Sequence, residues 1–464
     1  MVSCVVRMAE RILHRGPDAG GEWSDPDAGI ALGHRRLSII DLSETGRQPM
    51  TSSNGRFIMV FNGEVYNFKA IRMELSRLGA TFKGGSDTEV MLESFSRWGI
   101  AESVKRFRGM FSFAVWDRDA RSLNLCRDRI GEKPLYYGWA GKVFLFGSEL
   151  KAFHAYRNWV PEVDRDSLAL YFKRSCIPAP YSIFSGIRKL PPGTLLEVPI
   201  SASAEKEGPD PAPYWSMKDA AESGISNRFK GSEEDAANQL EQLLLQTVGD
   251  QMISDVPLGA FLSGGLDSSL VVALMQAQSR KSIRTFTIGF HEKSYDEAAH
   301  AKAIASHLGT EHTEMYVGSK DALKIIPSLP DIYDEPFADS SQIPTLLISA
   351  LTRKHVTVCL SGDGGDELMG GYNRYIEGPK LWRKVGALPY GIRKNLYALL
   401  NAVPASVWEK ALAALEPILP LRAKQLNISD KMEKVLNVLA VKDATGIYHA
   451  LVTHWKDSAK LVPG

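Results

Sequence analysis

The sequence predicts two unlike folds in series: a layered α+β half, then an α/β half built on a parallel sheet. Three observations predict this. Short β-branched and aromatic runs crowd residues 1–199, with few helical patterns among them. From 258 onward strands and helices alternate. Between the halves, 201–213 (SASAEKEGPDPAP) is polar, Pro-rich and without periodicity, which reads as a loop or linker. The expected division is 1–199, a linker region at 200–231, and 232–464.

In the first half, 56–61 (RFIMVF), 111–116 (FSFAVW), 122–126 (SLNLC), 134–138 (PLYYG) and 143–146 (VFLF) read as strands bounded by Gly, Asp and Asn. The stretch 68–78 places Ile71, Leu75 and Leu78 on one helical face, and 89–98 does the same with Val90, Met91, Leu92 and Phe95. In the second half, Ser232 and Asp235 have the spacing of a capping box. Leu240, Leu244, Val248 and Met252 follow at four-residue steps, one helical stripe. Then come a strand at 258–262, a helix at 270–276 and a strand at 282–290. A helix at 296–307 closed by Gly309 and a strand at 356–360 complete the series. This is the order of a doubly wound parallel sheet. Residues from 378 onward read as helical, interrupted by Pro.

A chain of 464 residues holds two or three domains at ~150 residues each. Its hydrophobic fraction of 44% and charged fraction of 23% exclude a mainly disordered, collagenous or coiled-coil chain. Lys and Arg number 55 against 54 Asp and Glu, so no basic footprint marks a general nucleic-acid binder. No apolar run approaches the ~20 residues that span a bilayer. The opening MVSCVVRMAERILHRGPD is not patterned as a signal peptide. A cytoplasmic chain without nucleic-acid or membrane partners is expected. The cysteines at 4, 126, 176 and 359 form no CxxC or Cys/His cluster, so neither a disulfide framework nor a zinc site is indicated.

The stretch 263–269 (SGGLDSS) follows a strand and opens a helix. Small residues let the backbone turn sharply, and successive N–H groups with the helix N-terminus make an anion nest. It is not a Walker A loop, because GxxxxGK[ST] is absent. The bland alternative is a structural Gly-rich turn. The strand at 356–360 runs into a second such turn, 361–367 (SGDGGDE), which carries Asp363, Asp366 and Glu367. In open α/β sheets, ligands sit beyond the carboxyl ends of strands. One anion-binding turn and one acidic turn suit a magnesium–nucleotide site. A solvated acidic turn is the alternative.

These turns carry a resemblance. SGGLDSS is similar to the pyrophosphate loop of the ATP-pyrophosphatase superfamily, and LSGDGGDE to the companion motif of its asparagine synthetase branch. In the first half, HRGPD (14–18), GHRRLSI (33–39), FNGEVYN (61–67), GSDTE (85–89) and RDRIGEKPLYY (127–137) resemble, in order, a class II glutamine amidotransferase domain. The chain is identified as a member of the glutamine-hydrolysing asparagine synthetases and their close relatives.

The resemblance implies an αββα sandwich of N-terminal-nucleophile type, then a Rossmann-like domain of ATP-pyrophosphatase type. It implies conversion of aspartate to asparagine through β-aspartyl-AMP, with ATP and Mg2+, the nitrogen coming from glutamine or ammonia. Ser263, Gly264, Gly265 and Ser268 would hold the departing pyrophosphate, and Asp267 and Asp366 magnesium. Leu262 and Ile288 would flank adenine by backbone contacts, with plain strand core as the alternative for their side chains. Ser361 and Gly362 would contact the nucleotide. Asp363 would sit near the acyl-adenylate, where the family's usual residue is Glu. Arg36 would pair with the α-carboxylate of glutamine, and Glu64 and Asp87 with its α-amino group. Asn62 and Gly63 would form the oxyanion hole. A homodimer is among the assemblies it allows.

The sequence departs from the family's pattern in two places. The family's nucleophile is a Cys directly after the initiator Met, and residue 2 here is Val. The nucleophile is therefore expected to be absent. Cys4, with Met8 and Ile12 on one helical stripe, reads as a small core residue. Relatives also continue through an E-x-R-x-P element without counterpart before Gly464. The expectation is a chain truncated at both ends, with doubtful glutaminase activity. Two rival readings remain: the same chemistry on a polysaccharide or peptide acceptor, and a nucleotide-binding fragment without turnover.

Overall fold

The structure, a computed structural model, describes residues 1–203, 209–291, 296–403, 438–455 and 457–462. Contacts divide it into a first unit, 1–171 with 175–362, and a second, 172–174 with 363–464.

The first unit opens with helix α1 (Val2–Arg11) and the hairpin β1 (Ala19–Asp25) and β2 (Ile30–Arg36). Next come β3 (Met50–Thr51), β4 (Phe57–Val65), α2 (Phe68–Arg77), α3 (Asp87–Trp98) and α4 (Ile100–Arg106). The strands β5 (Gly109–Asp117), β6 (Ser122–Arg127), β7 (Tyr136–Ala140) and β8 (Val143–Gly147) precede α5 (Arg165–Arg174). Then come β9 (Ile187–Lys189), β10 (Thr194–Pro199) and β11 (Ala212–Pro213). An antiparallel sheet in the order β11-β10-β6-β5-β4-β3 forms one layer. Strand periodicity sorts its side chains. Phe57, Met59, Phe61, Phe111, Phe113 and Val115 turn to α2 and α3, where they meet Ile71, Leu75, Met91 and Phe95. Ile58, Val60, Ala114 and Trp116 turn the other way, toward Leu32 of β2 and Tyr137 of β7. The sheets β1-β2 and β8-β7-β9 make that second strand layer. Beyond it, Met8 of α1 packs with Leu150 and Phe153. The order helix, sheet, sheet, helix is the expected α+β sandwich.

Two expectations change here. Within 201–213, Ala212 and Pro213 form the edge strand β11 against Thr194 and Leu195. Pro is tolerated at a sheet edge because its missing N–H takes nothing from the ladder. The linker region also contains a helix, α6 (Met217–Ser226), capped by Ser216 Oγ accepting from Asp219 N–H at 3.2 Å. Residues 204–208 of the expected loop lie outside the described residues.

Helix α7 (Glu233–Gln251) begins at the expected capping box of Ser232 and Asp235. Leu244, Val248 and Met252 of its stripe join the core, and Leu240 stands exposed. The elements β12 (Leu258–Phe261), α8 (Leu266–Gln278), β13 (Arg284–Phe290), α9 (Ala298–Leu308), β14 (Glu311–Val317), α10 (Ser319–Ile325), α11 (Leu329–Ile332), α12 (Gln342–Thr352) and β15 (Val358–Leu360) follow. Gly309 ends α9 in the left-handed conformation. The four strands are parallel in the order β14-β13-β12-β15. The chain winds outward from β12 to β14, then returns to the other side of β12 with β15. The crevice between β12 and β15 is therefore the point where winding reverses, the place where such sheets bind ligands.

In the second unit lie α13 (Gly365–Met369), α14 (Asn373–Val385), α15 (Tyr390–Asn401) and the short helices Ala444–Val452 and Ser458–Leu461. Arg393, 3% exposed, holds part of it together by donating to the carbonyls of Leu388 at 3.0 Å and Val441 at 2.6 Å. Much of the helical stretch expected from 378 onward, 404–437, lies outside the described residues. Among the described residues no helix is long and apolar enough to cross a membrane.

Candidate active site

A cavity of about 440 Å³ opens between the two strand layers of the first half. It is lined by Arg36, Asn62, Gly63, Glu64 and Asp87, so the fold brings together all five of the glutamine-site residues singled out in the sequence. His34 and Lys133 line it too. Cys4, half-exposed on α1, does not.

Strand β4 supplies Asn62, Gly63 and Glu64 at its carboxyl end, paired with Ser112, Phe111 and Met110 of β5. Gly63 has φ +149°, and a Cβ there would lie 2.6 Å from Phe111 Cα. Only glycine fits. Glu64 Oε1 and Asn62 Nδ2 are buried and have no hydrogen-bond partner among the described residues. Orphaned buried polar atoms cost free energy unless a ligand or water satisfies them. Asp87, in the first turn of α3, accepts from Val65 N–H at 2.9 Å and Thr88 N–H at 2.8 Å. Burial and the neighbouring Asp87 charge push Glu64 up to about 7. Burial pushes Asp87 up to about 6, against those two N–H groups and the Arg36 charge. Arg36 spends guanidinium N–H groups on the carbonyls of Ser43 at 3.3 Å, Ile40 at 3.2 Å and Asp41 at 2.5 Å. A fixed cation beside two buried carboxyl groups matches the zwitterion of an α-amino acid.

Lys133 and His34 stand in the motifs read from sequence, but only the fold gives them a place. Asp128, fully buried, accepts from the N–H groups of Gly131 at 2.6 Å, Glu132 at 2.9 Å and Lys133 at 3.0 Å. Arg127 donates to the carbonyls of Gly131 at 2.6 Å and Lys133 at 2.8 Å. This clamp presents Lys133 to the cavity, where burial and the Arg15 charge lower its pKa. His34 shares a 2.9 Å hydrogen bond between Nε2 and the Phe61 carbonyl, and burial holds it down to about 4, so it is neutral near pH 7.

The second constellation lies at the β12/β15 crevice. Gly264 has φ +83°, and a Cβ there would lie 3.0 Å from Ala301 N. Ser263 and Ser268 hydroxyls stand 2.9 Å apart, and Gly265 caps α8. Asp267, in the first turn of α8, is half-exposed, and its carboxylate makes no hydrogen bond among the described residues. A Cβ on Gly362 would lie 2.7 Å from Ser268 N, so the 361–362 turn lies directly against the N-terminus of α8. Leu262 is core: its N–H donates to Phe286 O at 2.9 Å, and its carbonyl accepts from Thr287 Oγ1. Peptide groups alternate sides along a strand. Since Phe286 O faces β12, the peptide groups of Ile288 face the same side, beyond the end of β12. In the second unit, Asp366 lies in the first turn of α13, and Glu367 accepts from Tyr372 OH at 2.6 Å. Asp363 precedes that helix.

A charged cavity in a two-sheet sandwich, joined to a parallel sheet with a Gly-rich turn at its switch point, defines an amidotransferase coupled to a nucleotide-binding domain. Residues 2–215 match the glutamine amidotransferase domain family, and 239–461 the asparagine synthase family. A putative asparagine synthetase [glutamine-hydrolyzing] 2 of Methanocaldococcus jannaschii is 37% identical over 429 residues, covering 85% of this chain and 79% of that protein. Asparagine synthetase [glutamine-hydrolyzing] 1 of Bacillus subtilis is 32% identical over 415 residues, covering 88% of this chain and 62% of that protein. Amidase chry2 of Gibberella zeae is 31% identical over 385 residues, covering 78% and 54%. The chain belongs to the glutamine-hydrolysing asparagine synthetase family, and it spans less than two thirds of the second and third of these relatives.

Proposed function

We propose that this protein makes asparagine from aspartate, driven by cleavage of ATP to AMP and pyrophosphate, with nitrogen from glutamine or ammonia. The observation that carries the reading is the β12/β15 crevice, where both Gly-rich turns emerge from adjacent strands. The charged cavity in the same chain supplies the second half of it.

A carboxylate is a poor electrophile. Adenylation makes the aspartate side chain a mixed anhydride, β-aspartyl-AMP, which ammonia then opens by displacing AMP. Ser263, Gly264, Gly265 and Ser268, with the N-terminus of α8, hold the departing pyrophosphate by backbone and hydroxyl donors. Ile288 offers adenine the peptide groups that face past the end of β12, and Leu262 supplies the packed floor. Ser361 and Gly362 contact the nucleotide, and Asp363 is assigned to acyl-adenylate formation. The unpartnered Asp267 carboxylate suits Mg2+, which takes one or two carboxylates together with substrate phosphates and water. Asp366 is the second carboxylate assigned to it. The ion supplies charge neutralisation on the phosphates when bound.

In the cavity, Arg36 takes the α-carboxylate of glutamine, Glu64 and Asp87 take its ammonium group, and Asn62 with Gly63 face the side-chain amide. The functional division runs 1–199 and 232–464, with 200–231 between, and the compartment is the cytoplasm. Incubating the chain with aspartate, MgATP and ammonium tests the reading. One AMP per asparagine is expected. Pyrophosphate release that ignores free aspartate would reassign the acceptor, and no release would sink the proposal.

A further inference from the structure

Behind the cavity wall, one residue reaches two of the groups that line it. Asp41, in the loop between β2 and β3, adopts φ +58°. Asp is among the few residues besides glycine that adopt this left-handed conformation, because its short polar side chain can hydrogen-bond locally. The carboxylate accepts from Ser43 N–H at 3.1 Å, Ser43 Oγ at 2.5 Å, Thr45 Oγ1 at 2.9 Å and Gly85 N–H at 2.8 Å. Gly85 leads directly into Ser86, the N-cap of α3, and then Asp87. The Asp41 carbonyl accepts from Arg36, which also binds the carbonyls of Ile40 and Ser43 in the same loop. The Asp41 N–H donates to Asp255 Oδ2 at 2.8 Å, and Asp255 N–H returns to Ile39 O at 3.0 Å. Asp255 stands just before β12, the strand that leads into the 263–269 turn.

We propose that Asp41 is a positioning residue for glutamine recognition. Its carboxylate places Asp87 through Gly85, its carbonyl places Arg36, and its N–H ties both to the α/β half through Asp255. The inference rests on the reading of the cavity as a glutamine site. The requirement is for a carboxylate, since four donors converge on it and a carboxylate offers acceptor sites alone. Asparagine tolerates the backbone but turns an N–H₂ toward those donors. Glycine tolerates it better and offers no acceptor.

Calorimetric titration with glutamine and with MgATP tests this on the unaltered chain, Asp41→Gly, Asp41→Asn and Asp255→Ala. Hydrogen–deuterium exchange of the peptide containing Gly85 is followed in parallel. Asp41→Gly is expected to weaken glutamine by about tenfold or more, the usual consequence of losing bonds to a charged group. Asp41→Asn weakens it less, and Asp255→Ala least. Exchange at Gly85 quickens in both Asp41 variants while MgATP affinity holds. A loss confined to one ligand is not what general destabilisation gives. Equal glutamine affinity in all four proteins overturns the inference. Faster exchange at Gly85 with unchanged glutamine affinity makes Asp41 structural only and also overturns it. If the unaltered chain takes no glutamine, the reading of the cavity fails first and this inference falls with it.

Discussion

The cavity and the crevice are built by opposite means. The cavity works with buried side chains: Asp87 at 5% and Glu64 at 6% exposure, each raised in pKa by that burial. The crevice works with a Gly-rich backbone turn and hydroxyls at the mouth of a helix, with Asp267 half-exposed. A small zwitterion needs fixed opposite charges in a dry space, where each is worth more. A polyphosphate carries its own charge and needs many donors aimed at it, which a turn at a helix N-terminus provides. Changes in the cavity should therefore disturb stability and glutamine together. Changes in the crevice should disturb the nucleotide alone.

The largest break should come at Gly63→Ala. The positive φ and the collision with Phe111 add strain and overpacking of roughly 3 kcal/mol or more. A fall in melting temperature with loss of glutamine binding is expected, and a normal melt would show that the β4–β5 junction relaxes freely. Gly362→Ala is next. Its Cβ would press on Ser268 N at the start of α8. As the turn shifts to relieve that contact, MgATP affinity should drop by about tenfold or more, with glutamine affinity retained. Loss of both ligands would erase the contrast.

Asp267→Asn should weaken MgATP by roughly tenfold to a hundredfold, the ~1.5–3 kcal/mol of a charge-assisted contact. The melt should not move, and unchanged calorimetry removes Asp267 from the site. Glu64→Gln sharpens the comparison through pH. Glu64 ionises near its ordinary 4.5 when unfolded and at about 7 when folded. The folded state holds its proton longer, so this residue's contribution to stability is full below pH 4.5 and is lost as pH rises through 7. His34 acts the other way: held to about 4 from 6.5, it adds stability as pH rises between those values. Above pH 6.5 His34 is silent and Asp87, raised only to about 6, is mostly ionised, so the ligand-free protein should still lose stability toward neutrality, and Glu64→Gln should remove most of that slope. Glutamine, whose ammonium group prefers the ionised carboxylate, should bind better through the same interval. A slope left undiminished by the substitution would show that Glu64 is not the main titrating group. The smallest effect is expected at Cys4→Ala, within about 0.5 kcal/mol, as at ordinary surface positions. A larger loss of stability would place Cys4 in a packing role that its half-exposure does not suggest.

Motif and element placement were legible in the sequence where local chemistry dictates them. The capping box at Ser232, the helix end at Gly309 and the strand-to-helix turn at 263–269 each depend on residues a few positions apart. The β-branched and aromatic runs at 56–61 and 111–116 announced strands, and the structure extends them to β4, which adds Asn62, Gly63, Glu64 and Val65, and to β5, which runs from Gly109 to Asp117. The hairpin β1-β2 was not legible, because its residues are half-buried on both faces and show no alternation. Helix α6 was missed because it buries no residue and so leaves no apolar stripe to read.

By itself the sequence determined the family, the order of the two halves and the residue types at both sites, because turns, caps and short motifs are decided by nearest neighbours. Only the tertiary structure decided that Arg36, Asn62, Glu64 and Asp87 share one cavity with Lys133 and His34. It alone showed that Ile288 points its peptide groups past the end of β12, and that Asp41 connects two cavity residues to Asp255, 214 positions away. The reason is physical. Burial, pKa and hydrogen-bond partners arise from packing between segments distant in the chain, and that packing appears only when the strand layers close on one another.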